Sequence, residues 1–263
     1  MLETNTGIIL RSRKSGESDR MLHVLTSDDE LLTLKYHGIR ASQRRSQISI
    51  QPGNQVQIVF YRKAKEANVF SIKELSLQKE TRIQGKYQDL QRLAAVLALV
   101  QASAEPSLSG LYGLCSGALE TLESHSDSSE TEWFSSLLGF LIVRIQKLQG
   151  VLGEVYQCSS CGQNFWDVER WPPDLWKSSL WNEPELDFLC EKCALQEGQL
   201  ATRAHTLHAI WIYAAARMRF SSFEQSLSTF PTVSGPGNTA SLLIRSIQHF
   251  LGPLKELRFV DSD

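Results

Sequence analysis

Four of the five cysteines fall into two pairs of identical spacing, Cys158-Ser159-Ser160-Cys161-Gly162 and Cys190-Glu191-Lys192-Cys193. A CxxC pair forms a knuckle whose two thiolates converge, and two knuckles supply the four sulfurs of a tetrahedral structural zinc site. Gly162 fits that geometry, because the backbone must turn its N–H groups toward the sulfurs and glycine tolerates the positive φ this requires. A closed four-sulfur site has no open position for water or substrate, so Zn2+ there would hold shape and do no chemistry. Such a site points to a binding or scaffolding protein rather than a metalloenzyme. A redox role for the cysteines is disfavoured by two such pairs lying in one segment. Two disulfides are disfavoured further: the opening Met1-Leu2-Glu3-Thr4-Asn5 lacks a basic-then-apolar signal peptide, so a reducing cytoplasm is expected. An iron–sulfur cluster also uses four thiolates and stays open as an alternative. Cys115 lies in a small, apolar stretch and reads as a buried thiol.

The 263 residues suggest two domains, and a 42% hydrophobic content supplies sizeable cores. The longest strongly apolar run, Ala94 to Val100, is far short of a membrane span. A net charge of −2 conceals an uneven distribution. Residues 1–80 carry 13 basic against 9 acidic side chains, and residues 105–200 carry 5 against 15. From Leu31 to Lys65 there are seven basic residues and no acid. A basic front suits a polyanion, and an acidic back repels one.

The elements that must position these groups change period along the chain. Residues 1–80 show five short segments with period-two patterning and turn signals between them: Gly7–Ser12, Leu22–Thr26, Leu31–His37, Gln55–Tyr61 and Val69–Leu75. They predict a small closed barrel of the OB type, a frequent single-strand-binding scaffold. From about Gln84 helical spacing takes over, with helices expected to Pro106, over Ser109–Leu122, from Thr131 to Gly150, over about Gln196–Phe220 and over about Thr239–Leu251. The fold class is thus α+β and multidomain. A five-stranded OB-type barrel over 1–80 precedes an all-α domain over 81–263, which carries a four-cysteine zinc finger at about 154–196.

Lys35, Arg40, Arg44 and Arg45 lie in or just after the third strand, where they would neutralise phosphates; a solvated hairpin is the plainer alternative. Arg62, Lys63 and Lys65 follow Phe60-Tyr61, and a cation beside an exposed aromatic is a common single-strand device. Tyr36 and Tyr61 are the candidate stacking platforms, with Phe60 and Phe70 assigned to the core. Arg11, Arg13, Lys14 and Arg20 could extend this basic track, but Glu17 and Asp19 lie among them, and a Glu–Arg pair bracing the first turn is the alternative. No Ser-His-Asp or Cys-His arrangement and no GxxxxGK[ST] phosphate loop is present, so no catalytic residue is assigned.

Several strings resemble the bacterial recombination mediators of the RecO family: Gly7-Ile8-Ile9-Leu10-Arg11, Gly16-Glu17-Ser18-Asp19-Arg20, Lys35-Tyr36-His37-Gly38-Ile39-Arg40, the cysteine finger, and the tail His249-Phe250-Leu251-Gly252-Pro253-Leu254-Lys255-Glu256. Glu30 departs from the pattern, standing where the family usually has Gly before the third strand. The resemblance implies a DNA-repair protein without enzymatic turnover, in the bacterial cytoplasm at the nucleoid. It would bind single- and double-stranded DNA and promote annealing. With RecR it would load RecA onto DNA coated by single-strand-binding protein. No membrane and no small-molecule substrate are expected. A zinc-finger scaffold acting only through protein partners is the competing reading.

Overall fold

The structure, a computed structural model, describes residues 1–39, 47–62, 69–83, 86–105, 108–126, 132–153, 157–164, 179–182, 187–198 and 204–207. Five strands come first: β1 (Leu2–Ser15), β2 (Asp19–Thr26), β3 (Leu31–Tyr36), β4 (Gln55–Tyr61) and β5 (Phe70–Lys79). They close in the order β1-β2-β3-β5-β4, with β4 returning to β1. Every pairing is antiparallel except β3 with β5, which is parallel. This is the five-stranded OB-type barrel that the alternation predicts.

Period-two patterning explains what fills the barrel. On β3, Leu32, Leu34 and Tyr36 point inward, and on β4 Val56, Ile58 and Phe60 do the same. Phe60 and Phe70 pack with ring centroids 5.9 Å apart. β1 breaks the alternation, because Gly7 to Leu10 are buried in succession. An irregularity between Ile9 and Arg11 shifts the register against β2. Ile8 and Leu10 lie outside the barrel core although they are buried, and two helices pack against β1 and cover it. Gly7 is required by close approach: a Cβ there would sit 2.5 Å from Val24 Cγ1 and 2.9 Å from the Leu25 carbonyl oxygen.

The two helices are α1 (Tyr87–Ser103) and α2 (Leu111–Ser124), and they share one compact unit, Met1–Ser129, with the barrel. Side chains from three barrel elements hold α2. Gln55 donates to Ser116 at 3.1 Å, and Lys79 reaches Glu120 and Glu123 at 3.2 and 3.6 Å. Asp29, in the β2–β3 turn, supplies the cap that Gly110 lacks: its carboxylate accepts the backbone N–H groups of Gly110 and Tyr112 at 2.7 and 2.6 Å. Asp29 has φ +63°, so the left-handed residue of this turn precedes Glu30 and is one of the few types that tolerate that conformation. Asp29→Ala is expected to lower the stability of this unit by about 1–2 kcal/mol, read as a shifted thermal midpoint. Asp29→Asn should recover much of that loss, because its side-chain oxygen still accepts.

A second compact unit, Glu130–Asp263, begins with α3 (Glu132–Leu148). This helix is buried on nearly every side, from Trp133 and Phe134 to Ile142, Val143 and Ile145. Three short strands, β6 (Ser179–Asn182), β7 (Asp187–Leu189) and β8 (Ala204–Leu207), form an antiparallel sheet in the order β7-β6-β8, and α4 (Glu191–Gln196) follows β7. The helix expected over Gln196–Phe220 is therefore corrected at Ala204–Leu207, which pair with β6 from Ser179↔Leu207 to Asn182↔Ala204. A sheet partner distant in sequence overrides the local helical pattern there. The helix expected at Thr239–Leu251 lies outside the described residues.

Candidate metal centre and nucleic-acid interface

β7 delivers Cys190 to the start of α4, which carries Cys193. The two knuckles are tied by backbone, since Ser159 N–H donates to the Phe188 carbonyl at 2.9 Å. Within the first knuckle, Gly162 N–H donates to the Cys158 carbonyl at 2.8 Å, and Gly162 takes φ +70° as its position requires. The result is one cluster: the sulfurs of Cys158, Cys161, Cys190 and Cys193 all lie within 4.8 Å of one another. Cys161 and Cys190 are 3.8 Å apart. A tetrahedron with metal–sulfur bonds of about 2.3 Å has edges of about 3.8 Å, so the donor set fits a four-coordinate metal ion.

At Cys158 the electrostatics favour the thiolate. Burial pushes the Cys158 thiol up, but the backbone N–H groups of Cys190, Cys161 and Ser160 outweigh it and bring the group down to about 7. In the metal-free arrangement Cys193 is pushed up to about 12, first by its hydrogen bond with the Cys190 thiol. A bound cation replaces such shared protons. Cys115 is unlike these four; full burial pushes it up to about 12, as expected of an inert core thiol.

The barrel carries the other candidate groups. Arg11 is exposed on β1, opposite His23 of β2, and Arg13 stands opposite Met21. β3 continues the same outer face, with Thr33 opposite His23 and Lys35 opposite Met21. Arg11, Arg13, His23 and Lys35 thus share one surface of β1–β2–β3. Asp19 borders it; its carboxylate accepts the Gly38 N–H at 2.9 Å and contacts Lys35 Nζ at 3.2 Å and His37 at 3.1 Å. These contacts, led by the Gly38 N–H, hold Asp19 at about 2, well below the usual carboxylate value.

Two candidates on the barrel are corrected. Tyr36 is only 4% exposed, in phase with Leu32 and Leu34 inside the barrel, so its ring face is not available to a base. The Arg62 guanidinium is already engaged. It donates to Glu3 at 2.6 Å and, bidentately, to Glu30 at 2.9 and 2.7 Å, while lying over Phe60 and Phe70. Those hydrogen bonds, Glu30 first, raise its already high pKa further. Tyr61 remains exposed at 46%. Arg40, Arg44, Arg45, Lys63 and Lys65 lie outside the described residues. Sequence reasoning left His23 unassigned. Counting outward from the turn at Gly16, where Ser15 pairs with Asp19, would have placed it opposite Arg11.

Residues 1–79, the strands of this barrel, match the family model described as the recombination protein O N terminal. Two relatives extend the likeness past the barrel. DNA repair protein RecO of Leptospira biflexa serovar Patoc is 26% identical over 196 residues, covering 71% of this chain and 70% of the relative. DNA repair protein RecO of Trichodesmium erythraeum is 28% identical over 169 residues, 60% of this chain and 56% of that relative. The chain is thus similar to RecO proteins. The barrel is the part matched by the family model, and Arg11, His23 and Lys35 all lie within it. No helix among the described residues is long and apolar enough to cross a membrane.

Proposed function

We propose that the chain is a DNA-repair and recombination mediator that binds single- and double-stranded DNA through the outer face of β1–β2–β3. The observation that carries this reading is the convergence of Arg11, Arg13 and Lys35 on one barrel surface, bordered by the carboxylate of Asp19. Phosphates neutralised by such a face release counterions without regard to sequence. Tyr61 offers a ring for stacking, and Arg40, Arg44, Arg45, Lys63 and Lys65, which lie outside the described residues, are further candidates for phosphate contact. The protein promotes annealing and, with RecR, loading of RecA onto DNA coated by single-strand-binding protein. It turns over no substrate and works in the bacterial cytoplasm. The four cysteines hold a structural Zn2+, which their all-sulfur tetrahedral spacing suits.

Binding of labelled single-stranded DNA across a salt series tests the reading. Affinity should fall steeply with salt, and the Arg11→Ala, Arg13→Ala, Lys35→Ala triple variant should flatten the logarithmic slope by about 2, three lost contacts at about 0.7 each. An intact protein whose weak binding ignores salt would overturn the DNA reading and leave a scaffold acting through protein partners.

A further inference from the structure

His23 occupies the centre of the basic face and has a role that phosphate contacts alone do not describe. It stands opposite Arg11 on one side and Thr33 on the other. The charged groups facing it among the described residues are Arg11 and Arg13 from β1 and, diagonally, Lys35 from β3, the last already tied to Asp19. Its strand neighbours on that face, Met21 and Leu25, bring no charge. Its Nε2 is buried and finds no hydrogen-bond partner. An imidazole in this position is short of a negative partner.

We propose that His23 takes up a proton when a phosphodiester strand occupies the β1–β2–β3 face, so that DNA affinity is coupled to pH; this rests on the DNA-binding reading above. In the free protein the imidazole is held below its ordinary value, first by burial and then by the positive charges of Arg13 and Arg11. Phosphates set against those two guanidiniums cancel the second and third causes and add an attraction for imidazolium. The proton comes from the solvent, and no covalent step is involved. Binding and protonation must then favour each other by linkage.

Oligo(dT) is a suitable probe, because thymine does not titrate near neutrality. Titration calorimetry at about pH 6.5 in two buffers of different ionisation enthalpy counts the protons taken up. The intact protein is expected to take up about half a proton per bound strand. His23→Gln should take up none and still bind, while His37→Gln should leave the uptake unchanged. Between about pH 8 and pH 6 the affinity of the intact protein should rise about threefold more than that of His23→Gln. Salt-dependent binding with the same proton count in the intact protein and His23→Gln would overturn the role of His23 and leave the DNA reading standing. Absence of salt-dependent binding would overturn both.

Discussion

Cys158→Ser or Cys193→Ser should abolish stoichiometric metal binding and unfold the sheet β6–β7–β8 while leaving the barrel folded. Both side chains are buried, and a serine hydroxyl neither carries thiolate charge nor spans a metal–sulfur bond. The sheet is small. Its three strands have three or four residues each, and backbone bonds such as Ser159 N–H to the Phe188 carbonyl link it to the first knuckle. Structural zinc in small domains supplies an apparent ~10–16 kcal/mol of folding free energy, far more than three such strands could replace. The intact protein should therefore carry one metal per chain, and either variant none, by elemental analysis. Thermal unfolding should keep the transition of Met1–Ser129 and lose or lower that of Glu130–Asp263. A variant that keeps its metal would remove Cys158 or Cys193 from the ligand set. Iron with visible absorbance in place of zinc would make the centre a cluster.

The barrel was legible because β3 and β4 repeat one simple rule. Leu32, Leu34 and Tyr36 alternate with Leu31, Thr33 and Lys35, and a half-buried strand leaves no other pattern. The same rule should have excluded Tyr36 as a stacking platform, since a residue in phase with Leu32 and Leu34 faces inward. The cysteine site was legible for a different reason: spacing within each knuckle is local, and only the tetrahedron joins the two. What resisted reading depends on distant partners. Ala204–Leu207 becomes a strand only because β6 offers an edge. Asp29 becomes the cap of a helix 81 residues away, which no short window contains. The basic row containing His23 follows from counting across a hairpin, not from charge density along the chain.

Arg62 illustrates the cost of reading charge without partners, and its substitution should expose the difference between a DNA contact and a structural cation. Its guanidinium touches β1 through Glu3, the start of β3 through Glu30, and the core rings of β4 and β5 through Phe60 and Phe70. One side chain thus ties four of the five strands at one end of the barrel. Ion pairs this exposed contribute little singly, but the bidentate geometry with Glu30 and the two ring contacts add to them. Arg62→Ala is expected to cost about 2 kcal/mol, or about 8 °C in the thermal midpoint of Met1–Ser129. Arg62→Lys should recover less than half, because an ammonium cannot hold both Glu30 oxygens and Glu3 in one plane. Below its melting range Arg62→Ala should bind single-stranded DNA within about threefold of the intact protein, having given up at most one weak phosphate contact. Lys35→Ala should show the reverse: an unchanged midpoint within about 1 kcal/mol and a reduced salt slope. If Arg62→Ala instead kept its midpoint and lost DNA affinity, the ion pairs with Glu3 and Glu30 would be incidental, and Arg62 would return to the DNA track from which its geometry removes it.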